Sequence, residues 1–238
     1  MDKVIAFDLE IVKDIPEGAL WRDVRPLGIS CVAGLLNDEI LSRLWFNKDA
    51  DTEEPLSGGM EQRYLRYLIQ DLNFLVHDEG YKIITWNGLG FDFDVLAEES
   101  GMVEECKELA LNHIDMMFQF FCIKGFPVGL DTVAKGLGLS GKMGGMSGAL
   151  APHLWASPNL RDRLKVLRYV HQDAVTTLEI FEKASEVGRI DWYTQKGKLS
   201  SCWLNGWKTV KECLELPVPD TSWMDNPISR EEFYAWTK

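Results

Sequence analysis

The sequence is poor in cysteine, poor in basic residues and without a long apolar run. Its 5 cysteines are widely spaced and form no CxxC pair, which excludes a zinc site of paired cysteines and disfavours a disulfide framework. Lysine and arginine number 25 against 37 acidic residues, so bulk charge does not attract nucleic acid or an anionic membrane. The longest apolar stretch, residues 116–123, is too short to cross a bilayer. A polyanion would have to bind locally, through a few basic residues or through metal ions held by carboxylates.

The remaining composition is that of a globular protein. Hydrophobic residues make up 46% and charged residues 26% of the 238 residues, which predicts one domain or one domain with a substantial appendage. Residues 4–7 are the only apolar run before Asp8, too short for a secretion signal. We therefore expect a cytoplasmic protein with no membrane partner.

Hydrophobic periodicity predicts an α/β chain with a mixed sheet flanked by helices. Strands are predicted at residues 4–7, 27–36, 40–46 and 81–86, and helices at 60–77, 91–100, 130–137 and 159–187. Residues 113–123 combine strand and helix signals and stay undivided, and the glycine-rich residues 138–158 are expected to form a mobile loop. We expect residues 1–187 to form one domain and residues 188–238 to form a tryptophan-rich C-terminal extension packed on the core.

Acidic residues recur at three places that favour a functional site. Asp8 and Glu10 stand two apart at a strand, so alternation points both to one face. Asp92 follows a strand and a glycine turn, and Tyr169 precedes Asp173 by about one helical turn, away from the apolar stripe of that helix. Four converging carboxylates need a counter-charge, which two hard divalent cations would supply. Such a two-metal site suits in-line attack on a phosphodiester.

Each feature alone has a simpler explanation. A DxE sequence at a strand is common, Asp92 could be a helix N-cap, and a tyrosine and an aspartate one turn apart are usually surface neighbours. The order and context of the three together favour the site.

The three segments resemble the exonuclease motifs of the DEDD superfamily. Phe7-Asp8-Leu9-Glu10 matches DxE, Asn87-Gly88-Leu89-Gly90-Phe91-Asp92 matches NGxxFD, and Tyr169-Val170-His171-Gln172-Asp173 matches the YxxxD motif of the tyrosine subgroup. The histidine subgroup has His five residues before the last Asp, where this chain has Arg168. The NGxxFD form is similar to the proofreading domains of family-B DNA polymerases and their stand-alone relatives.

The resemblance implies a ribonuclease-H-like fold and a metal-dependent 3′→5′ exonuclease that releases nucleoside 5′-monophosphates. It implies two Mg²⁺ or Mn²⁺ ions, with Asp8 bridging both. Glu10 and Asp173 would hold the metal that activates water, and Asp92 would support the second metal. Tyr169 would position the nucleophile.

The predicted substrate is the 3′ end of a nucleic acid, with single-stranded DNA favoured. Leu9, Asn87 and Phe91 are expected to contact the terminal nucleotides, Phe91 by stacking, and Lys142 is a further candidate for a phosphate contact. Asp94 departs from the small residue or proline that relatives often carry after the Phe-Asp pair, and we expect its side chain to face solvent.

Several alternatives stay open. An RNA-trimming exonuclease would have the same site, and a non-catalytic nuclease fold could bind a polymerase or a strand-binding protein. Residues 136–142 match both GxGxxG and a P-loop without its final Ser or Thr, although a helix is predicted before them. The basic residues of 161–168 are either a solvated helix face or a phosphate site. The tryptophans of the C-terminal extension either pack on the core, as we expect, or stack on bases.

Overall fold

A computed structural model describes residues 2–39, 42–141 and 144–238. Its strands are β1 Val4–Ile11, β2 Ile29–Leu36, β3 Arg43–Phe46, β4 Lys82–Thr85, β5 Ile114–Asp115, β6 Arg189–Tyr193 and β7 Leu199–Trp203. Its α-helices are α1 Gln62–His77, α2 Asp92–Ser100, α3 Val103–Asn112, α4 Met116–Lys124, α5 Leu130–Gly136, α6 Ala151–Trp155, α7 Leu160–Val187, α8 Val210–Leu214 and α9 Glu231–Tyr234. Short 3₁₀ turns lie at Trp21–Val24 and Ala235–Thr237.

The predicted mixed sheet is confirmed. In the described residues its order is β3-β2-β1-β4-β5, with β1 antiparallel to β2 and parallel to β4. The antiparallel neighbours β1, β2 and β3 follow one another along the chain, whereas the parallel step from β1 to β4 needs a crossover, which contains α1. The β1–β2 pairing shifts between Glu10 and Ile11, and irregularities of this kind re-aim side chains at a strand end.

The sheet separates two hydrophobic cores, and β1 contributes to both. Ile5, Phe7 and Leu9 belong to the core beneath α1 and α2, and Val4 and Ala6 belong to the core beneath α7. This alternation follows from the period of two along a strand. It sends Asp8 and Glu10, the next even positions, to the α7 side.

Most predicted elements are present with shifted ends. β1 extends to Ile11, so Asp8 and Glu10 lie within the strand rather than after it. The undivided segment is β5 followed by α4, whose N-terminus is capped by the Asp115 side chain. The glycine-rich segment contains α6, which the sequence analysis missed. Residues 40 and 41 of the third predicted strand lie outside the described residues.

The segment after α7 contributes to the same cores. The Val210 N–H donates to the His113 carbonyl at 2.9 Å, and Trp236 Nε1 donates to the Leu89 carbonyl at 2.8 Å. Trp192 is buried, but Trp203 and Trp223 are 70% and 66% exposed, so the expectation that the tryptophans are buried against the core is wrong for these two. The boundary at residue 187 stays a prediction.

No helix in the described part of the chain is both long enough and apolar enough to cross a membrane.

Candidate active site

Three acidic side chains from two elements meet above β1. One carboxylate oxygen from each of Asp8, Glu10 and Asp173 lies within 4.8 Å of the others. Glu10 and Asp173 are buried and Asp8 is half-buried. The grouping joins the first and third predicted motifs, which are far apart in sequence.

Helix α7 brings Asp173 to this position because it packs across β1 and β2. The helix begins at the Asn159 cap, whose side chain accepts from the Arg161 N–H at 3.1 Å. Tyr169 and Asp173 are 1% and 3% exposed. The buried face of α7 is thus wider than the apolar stripe that the sequence shows, and both residues lie on it.

Asp92 reaches the site from α2. Its Oδ1 accepts a hydrogen bond from the Leu9 N–H at 3.1 Å, which ties the start of α2 to β1. Burial raises the pKa of Asp92 to about 7, and the negative charges of Asp115 and Asp173 act in the same direction. Among the described residues, Asp92 lines the same cleft without joining the 4.8 Å group.

The turn before Asp92 is held by Asp115, whose segment, residues 113–115, the sequence predicts to be structural and not metal-binding. The two carboxylate oxygens of Asp115 accept from the Asn87 N–H at 3.0 Å and the Leu89 N–H at 2.9 Å. Asn87 has a φ of +73°, which a non-glycine residue adopts at a cost. Asp115 therefore stabilises a turn conformation that is unfavourable by itself.

A second set of hydrogen bonds supports the same turn. His113 Nδ1 lies 2.6 Å from the Ala110 carbonyl, which only accepts, so Nδ1 carries the proton and Nε2 accepts from the Thr85 hydroxyl at 2.9 Å. Thr85 Oγ1 accepts in turn from the Gly88 N–H at 3.1 Å. A Cβ at Gly88 would lie 2.5 Å from that hydroxyl, so the contact requires glycine. Burial lowers the pKa of His113 to about 4, which keeps the ring neutral.

The predicted site residues line one cleft, which we call the carboxylate cleft. Its lining includes Asp8, Leu9, Glu10, Asn87, Phe91, Asp92, Tyr169 and Asp173. Leu9 is 4% exposed and also belongs to the core on the other face of β1, whereas Asn87 and Phe91 are half-buried. Lys142 lies outside the described residues. The roles of all these residues stay predictions.

The expectation that Asp94 faces solvent is wrong. Asp94 is 3% exposed, and its carboxylate accepts from Arg22 at 3.4 Å and from Arg25. Both guanidinium groups also lie over the Trp21 ring, which packs edge-on against Phe91 at 5.1 Å. Asp94 therefore anchors the loop after β1 against the start of α2.

The basic run before Tyr169 is partly structural. Arg163 donates to the carbonyls of Pro55 at 2.8 Å and Ser157 at 2.7 Å, and Lys165 lies 3.5 Å from Asp162. The Arg163 contacts tie the start of α7 to neighbouring loops, whereas Lys165 and Asp162 are paired within the helix.

The model of RNase_H_2, of the RNase_H superfamily, matches residues 47–185. The chain belongs to the RNase_H superfamily. Asp92, Tyr169 and Asp173 lie inside the matched range, and β1 with Asp8 and Glu10 precedes it. No curated protein is similar enough to this chain to count as a match.

Membership of the RNase_H superfamily agrees with the mixed sheet and its flanking helices, so the predicted ribonuclease-H-like fold is confirmed. Together with the acidic group it indicates a nuclease-type function. The acidic group of this RNase_H chain can bind divalent metal ions.

Proposed function

We propose that this RNase_H superfamily chain is a metal-dependent 3′→5′ exonuclease of the tyrosine DEDD type that acts on single-stranded DNA ends. The observation that carries the proposal is the convergence of Asp8, Glu10, Asp92, Tyr169 and Asp173 in one cleft. They come from β1, α2 and α7, in the order of the DxE, NGxxFD and YxxxD motifs.

The donor set of the cleft fits hard divalent cations. Its carboxylate oxygens are the ligands that Mg²⁺ and Mn²⁺ prefer. Among the described residues that line the cleft, Lys13 is the only basic one, and its Nζ donates to the carbonyls of Val24 and Pro26. The raised pKa of Asp92 reflects burial beside other acids, a cost that bound cations would offset.

We assign roles to the residues from this arrangement and from the motifs. Asp8, Glu10 and Asp173 would hold the metal beside the nucleophile, and Asp8 and Asp92 would hold the second. Two bound cations would activate a water and stabilise the leaving 3′-oxygen. The Tyr169 hydroxyl orients that water. Asn87 and Phe91 hold the terminal nucleotide in the cleft.

The test is a gel assay on 5′-labelled DNA and RNA oligonucleotides of matched sequence, with Mn²⁺, Mg²⁺ or EDTA. We expect a metal-dependent ladder that shortens from the 3′ end and is stronger for DNA. Asp8→Asn should abolish the ladder, and Asp71→Asn, an exposed acid of α1, should leave it unchanged. Tyr169→Phe should slow it roughly 10- to 100-fold because the water is less well positioned.

Each other outcome has a defined meaning. A stronger ladder on RNA would favour an exoribonuclease, because discrimination depends on the space around the 2′-hydroxyl. Release of labelled mononucleotide as the first product, with no labelled strands of intermediate length, would contradict the polarity. No cleavage of either strand, together with no Mn²⁺ binding in a calorimetric titration, would favour a non-catalytic module that binds a protein partner.

A further inference from the structure

The carboxylate cleft continues into a second cleft, which we call the middle cleft. The two share Trp86 and Asn87 as lining residues. Trp86 Nε1 donates to the Val128 carbonyl at 3.1 Å, so its half-buried ring is held at the junction. A chain that leaves the carboxylates along this wall therefore passes the Trp86 ring.

The middle cleft continues in turn into a third cleft, which we call the lysine cleft. The shared lining is Pro127, Val128, Gly129 and Asp131, the segment that leads into α5. We call this row of three adjoining clefts, which share lining residues in pairs, the groove. Its far end is formed largely by residues after α7, from the β6–β7 hairpin and from the segment around Trp223.

The lysine cleft is locally basic in a chain with a net charge of −12. It is lined by the exposed Lys135, Lys196 and Lys198. Asp131, which also lines it, pairs with Lys135, and the exposed Asp225 is the other acid in the lining. Lys196 and Lys198 lie in the β6–β7 turn, which is closed by the Thr194 N–H donating to the Lys198 carbonyl at 2.9 Å.

Two aromatic side chains of the lysine cleft present ring surface to solvent. Tyr193 and Trp223 are 46% and 66% exposed. Trp223 is nevertheless held in place, since its Nε1 donates to the Asp220 carbonyl at 3.1 Å and its ring packs edge-on against Phe126 at 6.0 Å. Exposed rings beside lysines are the combination that binds unpaired bases and their phosphates.

We propose that this groove binds the single strand that leads to the 3′ end held at the carboxylates. Lys196 and Lys198 contact its phosphates, and Tyr193 and Trp223 stack on its bases. A duplex would keep its bases paired and unable to stack, so the occupant is single-stranded. The inference rests on the proposed function for its direction, and it gives residues 188–238 a role in substrate binding.

The test measures the affinity for fluorescent oligo-thymidylate of about 12 nucleotides by anisotropy, in EDTA. Lys196→Glu/Lys198→Glu should weaken binding about tenfold or more, and the salt dependence should fall by about 1.4 in log–log slope, at about 0.7 per lost phosphate contact. The matched control Lys183→Glu/Lys211→Glu changes the charge equally outside the groove and should bind as the unaltered chain does. Trp223→Ala should weaken binding about fivefold.

A second measurement separates the two proposals. The p-nitrophenyl ester of thymidine 5′-phosphate is a single nucleotide that does not reach the lysine cleft, so its Mn²⁺-dependent hydrolysis should be unchanged in the groove variants. If the lysine double variant binds the long oligonucleotide as tightly as its control, the groove is not the strand's path. If the unaltered chain binds the oligonucleotide but hydrolyses neither substrate, the exonuclease proposal fails and the groove stands.

Discussion

Asp92 and Asp94 lie two residues apart at the start of α2, are 5% and 3% exposed, and have opposite surroundings. Asp94 accepts from the guanidinium groups of Arg22 and Arg25. Asp92 accepts from the Leu9 N–H and forms no ion pair with a basic residue in the described part of the chain, and its pKa is raised by burial and further by the charges of Asp115 and Asp173. The charge of a buried carboxylate with its own cations is already compensated within the fold, so removing one partner is destabilising. A buried carboxylate among carboxylates is costly unless a ligand compensates it.

The largest expected difference between the two aspartates is in their effect on activity. Asp92→Asn should lower kcat roughly 10³-fold, because it removes a charge that supports the second metal. Asp94→Asn, an identical substitution with a structural partner, should retain kcat within a few-fold. Steady-state rates on the single-stranded DNA that the gel assay identifies would check this. Equal losses in both variants would contradict the distinction.

The same two substitutions should affect stability in the reverse order, with Asp94→Asn the more harmful. Asp94→Asn should lower the free energy of unfolding by about 2 kcal/mol, a reduced value for a buried pair because Arg22 and Arg25 are partly exposed. Asp92→Asn should be at least as stable as the unaltered chain in EDTA, since the amide oxygen still accepts from the Leu9 N–H. Urea unfolding would measure both. A destabilised Asp92→Asn would show that its charge is already compensated in the metal-free protein.

The smallest expected effect is on the pH dependence of stability and concerns a buried base, His113. Burial lowers the pKa of His113 from about 6.5 to about 4, so the folded state keeps it neutral while the unfolded state takes up a proton. Its contribution to stability is complete above pH about 6.5 and is lost as the pH falls towards 4. Between pH about 7 and 5.5 the loss should be about 1 kcal/mol.

His113→Gln is the matched variant for this effect. Between the two pH values, its free energy of unfolding should decrease by about 1 kcal/mol less than that of the unaltered chain. Denaturant titrations at both pH values would measure the difference. An equal decrease in both proteins would mean that His113 is not the titrating group.

Much of this architecture could be predicted from local pattern. The apolar run ending in Asp8, the periodicity of α1 and the length of α7 each reflect interactions between near neighbours in sequence, and the mixed sheet follows from their order. The sequence also predicted that Asp8, Glu10, Asp92 and Asp173 converge, and they do line one cleft, while their roles stay predictions. The short α6 and the boundary of α4 were not predicted, because their hydrophobicity is not periodic over enough residues.

The solvent-facing expectation for Asp94 failed because its partners, Arg22 and Arg25, are about seventy residues away along the chain. No pattern near Asp94 in the sequence indicates a partner so far away along the chain. For the same reason, the structural role expected for residues 113–115 came without its partners, the Asn87 and Leu89 N–H groups.

The sequence by itself determined which chemical groups are available and on which strand face or helix turn each one lies, since these follow from the periods of two and 3.6 residues. Only the tertiary structure decided which acids have arginine partners and which lie beside other acids, and which distant segments line adjoining clefts. Charge compensation and groove walls depend on distances between segments that are remote along the chain, and local sequence does not set those distances.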